Sequence, residues 1–275
     1  MQTLEQVSKE PSSKIESAQT RFEVITRKWW FFVLLIALQF ASPYTSVSVD
    51  PSEYGWVTGA VLSEALIYDM SFLYPIFKIA PILLVASLYV FKNRASRILS
   101  VYAGITYVLF AFLQSMAFTE DYGFAIIFSN LFMFLLVAAA WFWEAAAQKN
   151  DLSSFDIGLS RVWVVPLAVA AFWYPLEPVT LVPDFNPLYL ITNMAGLAFC
   201  LMTPLYLSVL ILAFPNVNLA TMRVTSVVGI IIAFYNILVN FVMFPELLFW
   251  NGLLHIPLLV ISVYSAALSF RHRAP

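Results

Sequence analysis

Pro81-Ile-Leu-Leu-Val-Ala-Ser-Leu-Tyr-Val-Phe91 runs directly into Lys92-Asn-Arg-Ala-Ser-Arg97, and Ile98-Leu-Ser-Val-Tyr-Ala-Gly-Ile-Thr-Tyr-Val-Leu-Phe-Ala-Phe-Leu113 follows at once. These two apolar runs, parts of longer apolar segments at about 71–91 and 98–118 joined by a tight basic gap, read as neighbouring transmembrane helices with that gap on the cytoplasmic side. The same alternation governs the rest of the chain. All but one of the 14 Lys and Arg residues fall in alternate gaps: Lys9, Lys14, Arg21, Arg27 and Lys28, then Lys92, Arg94 and Arg97, then Lys149 and Arg161, then Arg223, then Arg271 and Arg273. The intervening gaps hold Asp50, Glu53, Glu64, Asp69, Glu120, Asp121, Glu177, Asp184 and Glu246, without Lys or Arg. The positive-inside rule makes this a multi-pass protein of the inner or plasma membrane with both termini cytoplasmic.

Composition agrees. Hydrophobic residues make up 61% of the chain and charged residues 11%, against about half and about a quarter in soluble domains. The net charge of −2 conceals two faces of opposite sign. A basic face suits anionic lipid, and nothing points to nucleic acid. Cys200 is the single cysteine, so no disulfide, zinc site or CxxC is available. Arg27-Lys28 before Trp29–Leu38 resembles a signal sequence, but the polar lead is long and no A-x-A site follows. It is read as a retained first helix. Ser13 and Glu16 have capping-box spacing, which predicts an amphipathic helix from about Lys14.

The expected fold is an all-α polytopic membrane protein with about eight spans, at roughly 29–43, 71–91, 98–118, 124–147, 162–175, 187–214, 224–244 and 252–270. Trp29, Trp30, Trp141, Trp143 and Trp163 fall at the basic interface and Trp56, Trp173 and Trp250 at the acidic one, as amphipathic indoles should. A shift of 126 residues aligns Arg97 with Arg223, Gln114 with Asn240, Phe118 with Phe244 and Glu120 with Glu246. Two tandem four-helix units in parallel orientation follow, 29–147 and 162–275, after a cytoplasmic segment 1–28 and across a linker 148–161. Spans one and five are short and end at Pro43 and Pro175. Asp50-Pro51 and Asn186-Pro187 each read as an N-cap with proline at N1, where a helix restarts. The stretch 51–70 is expected to lie in the interface or re-enter the membrane.

Lys78 lies inside span two between Pro75 and Pro81, and an intramembrane ammonium needs a partner or water. It serves either as a contact for an anionic solute or as a structural ion pair. Glu120 and Glu246 end the third span of each unit, six residues beyond Gln114 and Asn240. They could line a cation or proton entrance, pair with Lys78, or simply mark acidic outer loops. Asn236 and Asn240 share a helix face and, with Asn193, Thr203 and Thr225, either bind substrate or bridge helices. His255 is a relay candidate or a packing residue. Glu144, in Trp141-Phe-Trp-Glu144, is expected to snorkel or to pair with an inner Lys or Arg.

Two histidines and one cysteine rule out the usual zinc, di-iron and bis-His haem sets, and no cofactor is implied. The GxSxG, HExxH and P-loop motifs are absent, as is a D-x-x-D pair on a span. The expectation is a small-solute or ion transporter, or a substrate-binding membrane component, with an outward-facing site between the two units. The alternative is a membrane-embedded enzyme acting on an isoprenoid or other lipid through Glu120 or Glu246. A third is a non-catalytic membrane subunit with a partner or a second copy.

Overall fold

A computed structural model describes residues 2–272, which places Arg273 outside the described residues. Helix α1 (Gln2–Ile25) leads into α2 (Trp29–Leu38), a strand β1 (Tyr44–Thr45), a 3-10 turn Pro51–Glu53 and α3 (Tyr54–Ser63). A 3-10 stretch Leu66–Leu73 feeds α4 (Tyr74–Phe91), and α5 (Asn93–Leu113) returns from it. The hairpin β2 (Met116–Thr119) and β3 (Gly123–Ile126) then leads to α6 (Phe128–Ala147). The second half holds α7 (Leu159–Val162), α8 (Val164–Trp173), α9 (Tyr189–Thr192), a 3-10 turn Met194–Leu197 and α10 (Phe199–Ala213). It finishes with α11 (Leu219–Ile237), a π-helical turn Leu238–Met243 and α12 (Pro245–Arg271).

Among the described residues, five helices are long and apolar enough to cross a membrane, or six if the bent α9–α10 pair counts as one. Helices α2 and α8, at 10 residues each, reach only ~15 Å against a hydrocarbon core of ~30 Å. Several expected boundaries move. The span expected over 187–214 is bent by 95° between Leu197 and Phe199. The ends expected at 118 and 124 are β-structure, an antiparallel sheet of order β1-β3-β2 in which Phe118 pairs with Phe124 and Tyr44 with Ile126. Gly123 supplies the positive φ at its turn. Helix α1 begins well before Ser13, so the expected capping box lies within it. Asp50 does cap as expected: its carboxylate accepts from the Ser52 hydroxyl and N–H, which holds it below the usual carboxylate range.

Polar contacts show that the basic gaps meet at one end of the bundle. Asn93 donates to Asp151, Asp151 N–H to Asn216, Gln19 to Asn218, and Arg27 to the Phe270 and His272 carbonyls. The sheet marks the opposite end. Between them, α10 is the central helix, buried along almost its whole length. Phe199 stacks on Phe134 with centroids 4.3 Å apart, and Trp141 leans on Tyr206. Trp141 is fully buried and donates to Thr225, so it is a core residue and not part of an interfacial belt. Interhelical hydrogen bonds recur: Tyr107 with Thr203 and Thr106 with Tyr206 between α5 and α10, and Ser226 with Ser265 between α11 and α12. In a membrane each such bond contributes about 0.6–2 kcal/mol. Thr203 and Thr225 therefore bridge helices.

Gly196 sets how closely the 3-10 turn before α10 approaches α4. A Cβ there would strike the Phe77 carbonyl and lie 3.0 Å from Lys78 N. Gly196→Ala is expected to destabilise by about 1–3 kcal/mol, read as a lower thermal midpoint in detergent.

Candidate functional site

The bend between α9 and α10 is built by side chains from elsewhere. Asn193 is extended (φ −100°, ψ 171°) and its side chain accepts from Ala195 N–H, capping the 3-10 turn. Its amide nitrogen donates to the Trp173 carbonyl at 2.8 Å and the Tyr174 carbonyl at 3.0 Å, closing the end of α8. Ala198 offers no side-chain cap to α10. Gln114, from the end of α5, supplies it by accepting from Phe199 N–H at 2.8 Å. A helix end in apolar surroundings leaves backbone groups without partners, and these residues provide them.

Lys78 completes the arrangement. It is fully buried, its ammonium donates to the Phe172 carbonyl, and it lies 4.1 Å from the centroid of the Phe172 ring. Phe172 belongs to the last turn of α8, whose carbonyls carry the negative end of the helix dipole. The lysine thus rests on a helix C-terminus and an aromatic face, not on a carboxylate. Among the described residues the one ion pair is Arg161 with Asp156.

A relay of amides continues from the same helix end. Tyr174 hydroxyl donates to Asn251 Oδ1, and Asn251 Nδ2 donates to Asn240 Oδ1, both at 2.7 Å. Asn240 Nδ2 donates to the Asn236 carbonyl, and Asn236 Nδ2 approaches Cys200 Sγ at 3.4 Å. His255 Nδ1 bonds the Asn251 carbonyl at 2.7 Å. Asn240 sits in the π-helical turn. Its side chain shares the carbonyl four residues back with the backbone ladder, which favours the wider turn. Gly252 lets α12 close over that turn: a Cβ there would lie 2.8 Å from Asn240 Cβ.

Five expected residues therefore gather around one break: Lys78, Gln114, Asn236, Asn240 and His255. Glu120 and Glu246 do not join them. Glu120 is exposed at the turn of the hairpin, and Glu246 is exposed in the first turn of α12, where a carboxylate favours the dipole. Neither makes the expected pair with Lys78. Glu177, in the loop after α8, accepts from Thr180 N–H, the Thr180 hydroxyl and Val179 N–H, and stays below the usual carboxylate range. Tyr174 and Asn251 had no individual signal in the sequence; Pro175 and Gly252 beside them were the available hints. The described residues contain no group of three His, Cys, Asp or Glu suited to a metal ion.

No protein family, curated protein or solved structure matches this chain.

The relay makes unequal demands on its members. Tyr174→Phe removes one donor and is expected to lower stability by about 1 kcal/mol. Asn251→Leu strands both Tyr174 and Asn240 and should cost about 2–4 kcal/mol. Thermal unfolding of the two variants and their double mutant checks the order.

Proposed function

We propose that the chain is a multi-pass membrane transporter of small anionic solutes, with its binding position at the α9–α10 break and Lys78 as the fixed positive charge. The observation that carries this is a fully buried ammonium bonded to a carbonyl, with no carboxylate among the described residues neutralising it. Such a charge is costly in a bilayer and attracts an anion. The break brings the N-terminus of α10 to the same place, and interrupted helices in transporters direct such N-termini at anionic groups. Asn240 and Asn251, each with one amide N–H not used in the relay, would supply hydrogen bonds to the solute.

The eight-span, two-unit organisation belongs to this proposal. Each half runs from a short apolar helix (α2, α8) through a non-spanning segment to a proline-bearing helix, α4 with Pro81 and α10 with Pro204. Each then ends in a packed pair, α5 with α6 and α11 with α12. Counting the short helices and the bent pair as membrane segments gives eight. The sheet end then faces outward, and the arginine-bearing end, with both termini, faces the cytoplasm. Lys78 has Leu207 as its counterpart through Pro75 and Pro204, so the charge belongs to one half only. The lipid-enzyme and partner-subunit alternatives rest on no observation of similar weight, since Glu120 and Glu246 are isolated on the surface.

The test is anion flux into proteoliposomes, using a panel of inorganic anions and small mono- and dicarboxylates. Wild-type protein is expected to carry at least one of them, and Lys78→Met to lose more than about tenfold of that flux, a difference of about 1.4 kcal/mol, while remaining monodisperse and helical. Unchanged flux in folded Lys78→Met would reject the assignment.

A further inference from the structure

At the opposite end of the bundle Glu144 has an environment that no expected role explains. It lies in the last turn of α6 and is 1% exposed. A carboxylate there faces the negative end of its own helix dipole. It accepts from Asn150 N–H at 2.7 Å and from Asn218 Nδ2 at 2.8 Å, and Lys149 acts on it through its backbone N–H and its charge without forming an ion pair. A glutamine could accept from one of these donors but would turn its own amide N–H groups against the other, so the site is built for an ionised carboxylate.

The carboxylate is connected to a polar cavity. Asn218, 1% exposed, caps α11 and exchanges hydrogen bonds with Gln19 of α1: Gln19 Nε2 donates to Asn218 Oδ1 at 2.9 Å, and Asn218 Nδ2 donates to Gln19 Oε1 at 3.2 Å. Gln19 also accepts from Trp143 Nε1. Gln19 and Asn218 line a cavity of about 620 Å³ together with the charged residues Glu16, Glu23, Arg27 and Lys149, and His272. A second buried group beside Glu144 lacks a partner: Asn150 Nδ2, on a residue 6% exposed. The charged and titratable groups around this end are Lys149 on the turn after α6, Glu16, Glu23 and Arg27 from α1, Arg223 of α11 and His272 after α12.

We propose that Glu144 is a proton-binding site, reached through Asn218 and Gln19 from this cavity, whose protonation undocks α1. Every bond Glu144 makes is accepted. Adding a proton converts one oxygen into a donor facing the Asn218 amide, itself a donor, so Asn218 must turn. Its turn breaks the amide pair with Gln19 and frees the middle of α1, leaving the Arg223 bonds to the Glu23 carbonyl and the Thr26 hydroxyl as a tether at its C-terminal end. The ligand is a proton from the α1 side, and the inference does not depend on what the opposite end carries.

A nitroxide at exposed Ser17, introduced as Ser17→Cys in a Cys200→Ser background, reports α1 docking in proteoliposomes. The label is expected to be immobilised at about pH 8 and to gain a mobile component as the pH falls to about 4, a range that spans carboxylate titration. Glu144→Gln should abolish the pH response, whereas Glu23→Gln and His272→Gln should retain it. Gln19→Ala should leave the label mobile at every pH. A wild-type spectrum indifferent to pH overturns the proposal, as does an unaltered titration in Glu144→Gln. Should Glu144→Gln not fold, a pH response surviving in Gln19→Ala overturns it equally.

Discussion

Helix ends that lie in apolar surroundings must have their backbone groups satisfied from within the protein, and this chain meets that demand mainly at C-termini with cations. Lys78 closes α8 through the Phe172 carbonyl, and Arg161 bonds the Phe214 carbonyl just beyond α10. Arg223 and Arg27 hold the last turn of α12 through the Ser269, Phe270 and His272 carbonyls. Amide side chains serve the other polarity, Gln114 at the start of α10 and Asn218 at the start of α11. The pattern explains how a helix as short as α8 and one as sharply interrupted as α9–α10 persist: each terminus is a tertiary contact.

Packing follows from those fixed ends. Helix α10, anchored at both, presents aromatic and hydroxyl side chains to α5, α6 and α8, so the core is assembled around it. The hydroxyl bridges among Thr106, Tyr107, Thr203 and Tyr206 lock its rotation relative to α5. What remains polar is pushed to the two ends, and there the groups differ in kind. Among the buried charged side chains, the sheet end holds the Lys78 ammonium, and the α1 end holds the Glu144 carboxylate and the Arg223 guanidinium. Among the described residues neither Lys78 nor Glu144 forms an ion pair.

The long apolar helices were legible because the charge alternation places their ends independently of propensity. Helix α6 ends at the expected 147 and α12 one residue past the expected 270, whereas α5 lies five residues N-terminal of expectation at both ends and α12 extends back to Pro245. The break at 193–198 was hidden because Met194, Ala195, Leu197 and Ala198 suit a helix as well as a turn, and only Asn193's bonds to α8 decide. The hairpin was masked by the apolar strands flanking Thr119–Gly123, although Gly123 and the alternation of small and large residues were visible. The gathering of Lys78, Gln114, Asn236, Asn240 and His255 could be suspected from polarity within apolar runs. The partners of Glu144 could not, since Asn150 follows a turn and Asn218 is 74 residues away.

The three-stranded sheet carries a consequence for biosynthesis. Tyr44 and Thr45 pair with Ile126 and Ala125, and Gln39 reaches Met133 of α6. Translation therefore delivers α2 to the bilayer well before the residues that hold its far end exist. At ten residues it is too short to anchor itself. Its final position must be set after α6 has left the ribosome, so the first apolar helix made is among the last to be seated.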